Sequence, residues 1–425
     1  MKIAFIVGRF PVLSETFILN QITGLIDRGH EVDIYSLQPA NNSKMHPSVE
    51  KYHLLDRTYY MPRIPDGFFS RVRKGLELLS ANWYKDPLVW LRSLNVFKYR
   101  EQATSLSLLY TVIPLLGKGP YDIIHCQFGI YGLKAMSFRN LGALKGKLIT
   151  SFRGHDISRY LKEYGNDVYN ELFETGDFFL TNSKYFKRRL IELGCDPKKV
   201  RVHWSAIDCT KFAFSPRRPH PDGRIRIATT GRLVEKKGIE YSIRAVAKLV
   251  KVNQNIEYNI IGDGPLKEDL QQLIQKLDVS DTVKLLGWKQ QQEIVEILNN
   301  SHIFVASCVT GNDGNEEGIP NVLKEAMAMG LPVIGTLHAG IPELIEDGIS
   351  GFLVPERDVD AIAEKLSYLI EHPQVWIEMG RAGRARVEAD YDMNKLNDEL
   401  VEIYQQLLST NLDLPELTAS SLCNA

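Results

Sequence analysis

Short apolar runs recur from one end of the chain to the other, and the stretches between them carry helical periodicity. In the first half the runs are "KIAFIV", "EVDIYSL", "YDIIHCQF", "KLITSF", "DFFLTNS" and "VRVHWS". In the second half they are "IRIATTG", "EYNIIGDG", "VKLLGW", "HIFVASC", "LPVIGT" and "GFLVP", with "IEYSIRAVAKLVKV" and "LKEDLQQLIQKL" among the helical intervals. Strands that alternate with helices build parallel sheets covered on both faces. Two such series predict an α/β chain of two Rossmann-like, doubly wound domains. Parallel sheets bind ligands at the carboxyl ends of their strands, so the site is expected in a cleft between the two sheets. The division falls near "CTKFAFSPRRPHPDG" (209–223), rich in proline and basic residues. The expected parts are a first domain over 1–208, a second over 209–385, a terminal helix within 386–410 that packs back on the first domain, and a disordered tail over 411–425.

A chain of 425 residues exceeds the ~250–300 residues at which single cores stop growing, in line with two domains. Its formal net charge of −1 argues against a nucleic-acid partner, which calls for a basic excess. The five cysteines form no CxxC pair and no metal spacing, and read as reduced thiols. The apolar run in "MKIAFIVGRFP" is too short for a signal peptide, and nothing approaches the ~20 apolar residues of a membrane span. The expected location is cytoplasmic. Segment 57–103 departs from the pattern, with nine Lys or Arg against four Asp or Glu, and Phe68, Phe69, Trp83, Tyr84, Trp90 and Phe97 interleaved. It reads either as a helical excursion whose aromatics pack inward or as a face for an anionic membrane at the inner side of the cell membrane.

The stretch "EEGIPNVLKEAMAMG" (316–330) places Glu317 just before an expected helix start and Glu325 within it. Pro320 suits a first helical turn. Asn321 and Glu325, four apart, are expected on one exposed side. A helix start offers free N–H groups and a positive dipole end to a phosphate, and a ribose one turn down would meet the Glu325 carboxylate. A capped helix with solvated glutamates is the alternative reading of this stretch alone. "TTGRLVEKKG" (229–238) adds Arg232 and Lys237, two cations able to neutralise a diphosphate, with Lys236 as a solvated neighbour. "IIGDGP" (260–265), carrying Gly264, is a glycine turn that permits close backbone approach, and Trp288 of "LLGW" could lie against a base.

The ordered set GRLVEKKG, IGDGP, LLGW, EGIPNVLKEAMAMGLPVI and GIPELIEDGISGFLVP resembles retaining family 4 glycosyltransferases of the GT-B fold, and it covers most of 225–360. The stretches "GRFPVLSETFILNQI", "IHCQFG" and "FRGHDIS" look like the bacterial subgroup that builds exopolysaccharides of the colanic acid type. The resemblance implies a hexosyltransferase using a UDP- or GDP-sugar donor, a glycan or lipid-linked saccharide acceptor, and neither cofactor nor metal. It implies that Arg232 and Lys237 hold the donor diphosphate, that Glu325 holds the ribose, and that Glu317 lies by the donor sugar. Gly318, Ile319 and Pro320 stand where backbone amides meet the phosphates, though Pro320 lacks one itself, with Asn321 among the nucleotide-binding candidates. His155 reaches toward the donor sugar, and Gly8 with Arg9 faces the cleft from the first strand–helix loop. His155, Glu317, Arg232 and Lys237 are the catalytic candidates.

The sequence departs from that pattern at Glu-Gly-Ile-Pro for Glu-Gly-Phe-Gly, at "SAID" (205–208) for the interdomain "GvD", and at Ala339-Gly340 for a Gly-Gly pair. An epimerase or phosphorylase on the same fold, or a non-catalytic nucleotide-sugar sensor, are the other classes. Smaller readings concern His125 at a strand end, "DVD" (358–360) as a helix cap rather than a metal motif, and "GNDGNEEG" (311–318) as a mobile, solvated loop over the donor rather than an ion site through Asp313 and Glu316. Ser14 is expected either to cap a helix or to face the acceptor.

Overall fold

The computed structural model describes residues 1–12, 15–40, 45–82, 84–95, 97, 100, 103–252 and 255–409. Ser14, Trp83 and the tail 411–425 lie outside them. The first sheet holds seven parallel strands, β1 (Lys2–Phe10), β2 (Glu31–Pro39), β3 (Thr58–Tyr60), β4 (Ile123–Gln127), β5 (Lys147–Phe152), β6 (Phe178–Thr181) and β7 (Val200–Val202), in the order β3-β2-β1-β4-β5-β6-β7. The second holds β8 (Ile225–Thr230), β9 (Ile256–Ile261), β10 (Val283–Gly287), β11 (Ile303–Ala306), β12 (Val333–Thr336) and β13 (Phe352–Val354), in the order β10-β9-β8-β11-β12-β13. In each sheet the order reverses beside the first strand, and such reversals open a crevice at the strand ends. β3 is a three-residue edge strand absent from the sequence reading, too short to show a period.

Strand alternation explains why each sheet is covered twice. Ile3, Phe5 and Val7 of β1 join one core, while Ala4 and Ile6 join the core on the opposite face. The registers Ile3↔Val32 and Ile3↔Ile123 carry this division to the neighbouring strands. The helix Met393–Leu408 belongs to the first sheet although it comes last in the chain: Leu400, Ile403, Tyr404 and Leu407, at helical spacing, pack in the core of Ile3 and Phe5. The two chain crossings between sheets are tied together, with the Ile207 N–H donating to the Tyr391 carbonyl at 3.0 Å and the Met393 N–H to the Ile207 carbonyl at 3.0 Å.

The excursion after β3 contains the helices Phe68–Asn82, Pro87–Ser93 and Ser107–Val112. Its aromatics divide: Trp90 is buried, whereas Phe68, Phe69, Tyr84 and Phe97 are exposed, Phe69 by 87%. Arg71 does not serve as a free surface cation, because its guanidinium donates to the carbonyls of Pro65, Asp66 and Ser105.

Candidate active site

The loops that follow the strands of the second sheet are built by backbone-to-backbone contact. After β8, the Gly231 N–H donates to the Ile261 carbonyl at 2.9 Å and the Leu233 N–H to the Asp263 carbonyl at 3.0 Å. A Cβ on Gly264 would stand 2.5 Å from the Leu233 carbonyl oxygen, and one on Gly262, at φ +145°, 1.9 Å from that of Gly231. The close approach expected of "IIGDGP" is therefore made to residues 231–233, and it shapes the turn that carries Arg232. Gly262→Ala is expected to lower stability by about 2–4 kcal/mol, from positive-φ strain plus overpacking, readable as a fall in Tm; an unchanged Tm would contradict this packing argument. Arg232 itself is exposed, and among the described residues its guanidinium has no hydrogen bond or ion pair.

Lys236 and Lys237 end a short 3-10 turn, Glu235–Lys237, closed by Gly238 at φ +59°, where a Cβ would strike the Ser307 carbonyl at 1.8 Å. That turn presents both ammonium groups to one carboxylate. Lys236 Nζ lies 2.9 Å from Glu317 Oε2 and Lys237 Nζ 3.2 Å from Glu317 Oε1. Burial opposes the Glu317 charge, but the two lysines overcome it and hold the carboxyl far below its ordinary range. Burial likewise opposes the Lys237 charge, and Glu317 outweighs it and raises the lysine's pKa. Lys236 is thus not the solvated neighbour the sequence led us to expect; consecutive lysines on a tight turn converge on the same partner.

The backbone of Glu317 is fixed as well. Its N–H donates to His338 Nε2 at 3.0 Å, which leaves the imidazole proton on Nδ1 to be donated to Glu356 Oε1 at 2.6 Å. Glu356 also accepts the Thr310 N–H at 2.9 Å and Arg357 Nη1 at 3.1 Å. Neither His338 nor Glu356 was singled out from the sequence; the only signal was the position of His338 at the head of "HAGIPEL", just past β12.

Three residues after Glu317, Pro320 occupies the N-cap rather than the first turn, and the helix runs Asn321–Ala328. Its first amides have no intrahelical acceptor. Asn321 and Glu325 are four apart on one helix, as expected, yet both are half-buried rather than exposed. Asn321 Oδ1 accepts from Lys324 Nζ at 3.0 Å, and the same ammonium donates to the Ser205 carbonyl of the domain crossing at 2.5 Å. Burial brings the Lys324 pKa down to about 7. The Glu325 carboxylate makes no hydrogen bond or ion pair among the described residues, and burial, against the pull of Lys324, pushes its pKa up to about 7. Ile319 is buried in the core of the second domain, so only its backbone is left to meet a ligand. Trp288 stands half-exposed past edge strand β10, with β9 between it and the strand that carries Arg232.

From the first domain, His155 opens a 3-10 turn after β5 and is exposed, within electrostatic reach of Lys236 and Asp313. Desolvation lowers its pKa, against Asp156 and together with Arg159 and Lys236. Gly8 and Arg9 do not lie in a loop, because β1 continues to Phe10, paired with Pro39. A Cβ on Gly8 would meet Tyr131 Oη at 1.9 Å, so that glycine admits a tyrosine. His125 is fully buried between Tyr404 Oη (2.6 Å) and Ser151 Oγ (2.7 Å), away from the cleft surface. The loop 311–318 is not a solvated flap. Arg159 pairs with Asp313 at 3.2 Å, Lys162 Nζ donates to the Asn312 carbonyl at 2.8 Å, and Glu316 is bonded to the first domain. Among the described residues no three His, Cys, Asp or Glu group together as metal ligands. Asp358 caps the helix Val359–Glu371 by accepting the Ala361 N–H at 2.9 Å.

A family profile described as Glycosyltransferase Family 4 matches residues 14–211, and one described as Glycosyl transferases group 1 matches 211–386. The putative colanic acid biosynthesis glycosyltransferase WcaL of Salmonella typhimurium is 35% identical over 416 residues, 96% of this chain and 100% of its own. This chain belongs to the family 4 glycosyltransferases. The amylovoran biosynthesis glycosyltransferase AmsK of Erwinia amylovora is 37% identical to this glycosyltransferase over 412 residues, again 96% and 100% of the two chains. The crystal structure of Anabaena Alr3699/HepE in complex with UDP and glucose superposes with a TM-score of 0.70 at 17% identity, covering 96% of this chain and 100% of that one. The last likeness places the two facing sheets in the GT-B fold.

Proposed function

We propose that this glycosyltransferase moves a hexose, with retention, from a UDP- or GDP-sugar to a glycan or lipid-linked saccharide acceptor in extracellular polysaccharide biosynthesis. The observation that carries the reading is the convergence of Lys236, Lys237 and the start of the Asn321–Ala328 helix around Glu317, with the Glu325 carboxylate left without a partner one turn further on. Arg232, Lys237 and the helix dipole meet the negative charge that grows on a departing diphosphate. Glu325 accepts the ribose hydroxyl protons, Glu317 and His155 flank the donor sugar, and no metal or cofactor takes part. The step we favour is front-face: the acceptor oxygen bonds to the anomeric carbon as the sugar–phosphate bond breaks, and its proton passes to the departing phosphate oxygen. Glu317, clamped by two lysines, is poorly placed to leave them and attack. Trapping a glycosyl group on Glu317 would overturn the front-face step. A panel of nucleotide sugars followed for slow donor hydrolysis tests the reading without an acceptor: one UDP- or GDP-hexose should be turned over, and none turned over would reject it.

The Glu325 assignment carries a pH dependence. A carboxyl at about 7 in the folded chain against an ordinary value of 4.5 makes the native state bind the extra proton between those values, so Glu325 lowers stability as pH rises from about 4.5 through 7. The ionised form, the better hydrogen-bond acceptor, dominates above 7. Nucleoside diphosphate affinity should therefore strengthen by about 3–10-fold from pH 6 to 8 beyond the change seen in Glu325→Gln. Identical pH profiles for the two proteins would remove Glu325 from the ribose site.

The exposed Phe68, Phe69, Leu76, Leu88 and Leu91, with the exposed Arg73, form the face we propose to meet an anionic membrane, where a lipid-linked acceptor would lie. No helix among the described residues is long and apolar enough to cross a membrane. Phe69→Ser with Arg73→Glu should abolish flotation with phosphatidylserine-containing vesicles, since each basic residue contributes ~1 kcal/mol and each buried aromatic adds more; unchanged flotation would reject this face.

A further inference from the structure

We propose that Glu316 is a positioning residue that sets Glu317 in place only when the two domains are closed on each other. The inference rests on the donor-site reading above and adds a function for a residue outside it. Glu316 is 8% exposed and its side chain is bonded to the opposite domain: Tyr185 Oη donates to Oε1 at 2.9 Å, and Arg189 Nη1 lies 3.3 Å from Oε2. Its N–H donates to Ser158 Oγ at 3.2 Å, again in the first domain. Its carbonyl sits where a Cβ on Gly154 would come within 3.2 Å, so glycine there admits the loop, and Lys236 Nζ reaches the same carbonyl at 3.4 Å.

The next residue is Glu317, whose N–H is held by His338 and whose carboxylate is held by Lys236 and Lys237, all three in the second domain. One planar peptide unit thus joins a carboxylate held by the first domain to the carboxylate at the donor site. A rigid peptide plane passes any rotation at Glu316 to the Glu317 amide. Gly318 continues the seam, since a Cβ there would lie 2.8 Å from Asn182 Nδ2 of the first domain. A second carboxylate closes on the same helix: Glu343 accepts the N–H groups of Lys184 and Tyr185 at 2.7 and 2.8 Å, at the start of Lys184–Glu192. Glu343 fastens the domains without touching Glu317, whereas Glu316 fastens them through the residue beside it. Opening the cleft removes Tyr185, Arg189 and Ser158 from Glu316 and frees the loop on the sugar side, while Arg232 and Lys237, in the second domain, stay in place for the diphosphate. The open enzyme then holds the nucleotide and leaves the sugar–phosphate bond intact.

The test separates binding from turnover. UDP and GDP affinities are measured by calorimetry, and turnover as hydrolysis of whichever UDP- or GDP-hexose the wild type consumes. Glu316→Ala and Arg189→Ala should each lower kcat about tenfold with the nucleotide Kd within about twofold, and the double variant should be no slower than about tenfold, because both changes break one contact. Glu316→Gln, which keeps the shape and the Tyr185 bond but gives up the pair with Arg189, should be slowed about as much as Arg189→Ala with the nucleotide Kd again within about twofold, and it decides the matter if the alanine variant fails to fold. Unchanged kcat in the single variants, a double variant slowed about a hundredfold, or a Kd weakened as much as kcat would overturn the proposal. A wild type that binds neither nucleotide would instead overturn the donor-site reading beneath it.

Discussion

Lys237→Ala is expected to lower kcat/KM by about 10²–10³-fold, the loss seen when a charge-stabilising donor is taken from a developing anion. The side chain has two tasks. Its ammonium is a counter-ion to Glu317 at 3.2 Å, and in the reaction proposed above it also faces the diphosphate as the sugar leaves. Glu317 keeps Lys236 at 2.9 Å when Lys237 is gone, so the fold should survive and the loss should fall on turnover. Lys237→Arg should recover part of the rate, limited by a planar guanidinium on a turn shaped for an ammonium. Steady-state kinetics of donor hydrolysis read this directly, and a loss under threefold in Lys237→Ala would exclude Lys237 from the departing phosphate.

Glu317→Ala should be comparably severe and should also cost stability. It leaves Lys236 and Lys237 side by side, each 15–22% exposed, with no carboxylate between them. Removing one partner from a largely buried ion group costs about 3 kcal/mol before the remaining solvent access is allowed for, so a loss near ~2 kcal/mol is expected. Activity should fall by about a hundredfold or more, because the carboxylate by the donor sugar is gone and the freed lysines bind phosphate without regard to the sugar. Glu317→Gln keeps the volume but likewise leaves both ammonium groups without a carboxylate, so its Tm should fall about as far as in the alanine variant and its activity should stay low. Full activity in Glu317→Gln would mean that the Glu317 charge does no chemistry.

These contrasts show which parts of the molecule could be read from the chain. The twin sheets were legible because strand runs and helical periods alternate twice, and a period is local. The placement of Glu317 before a helix start and of Glu325 within the helix was legible because their eight-residue spacing around Pro320 is written along one loop and one helix. Partners that meet only through the fold were not. Lys236 looks like any surface lysine beside another until the Glu235–Lys237 turn aims both at Glu317. His338 and Glu356 stand 21 and 39 residues from Glu317, at the ends of neighbouring strands β12 and β13. Glu316 reads as part of an acidic loop, and its meaning comes from Tyr185 and Arg189 across the cleft. Glycines were legible only in part. Gly8 and Gly264 are needed, but for Tyr131 and for Leu233, since a sequence shows that a backbone lacks a Cβ and not what comes close to it. The 57–103 segment divided because composition does not say which turn of an amphipathic helix meets the core, and only Trp90's burial against Phe69's exposure settles those two.

The central claim is that a pyrophosphate docks at the start of the Asn321–Ala328 helix between Arg232 and Lys237. Calorimetric titration of UDP and of GDP into the wild type and into Arg232→Ala/Lys237→Ala tests it most directly. Two charge-assisted contacts contribute about 1.5–3 kcal/mol each, so one nucleotide should bind the wild type and bind the double variant at least about a hundredfold more weakly. Equal affinity for the two proteins would contradict the account.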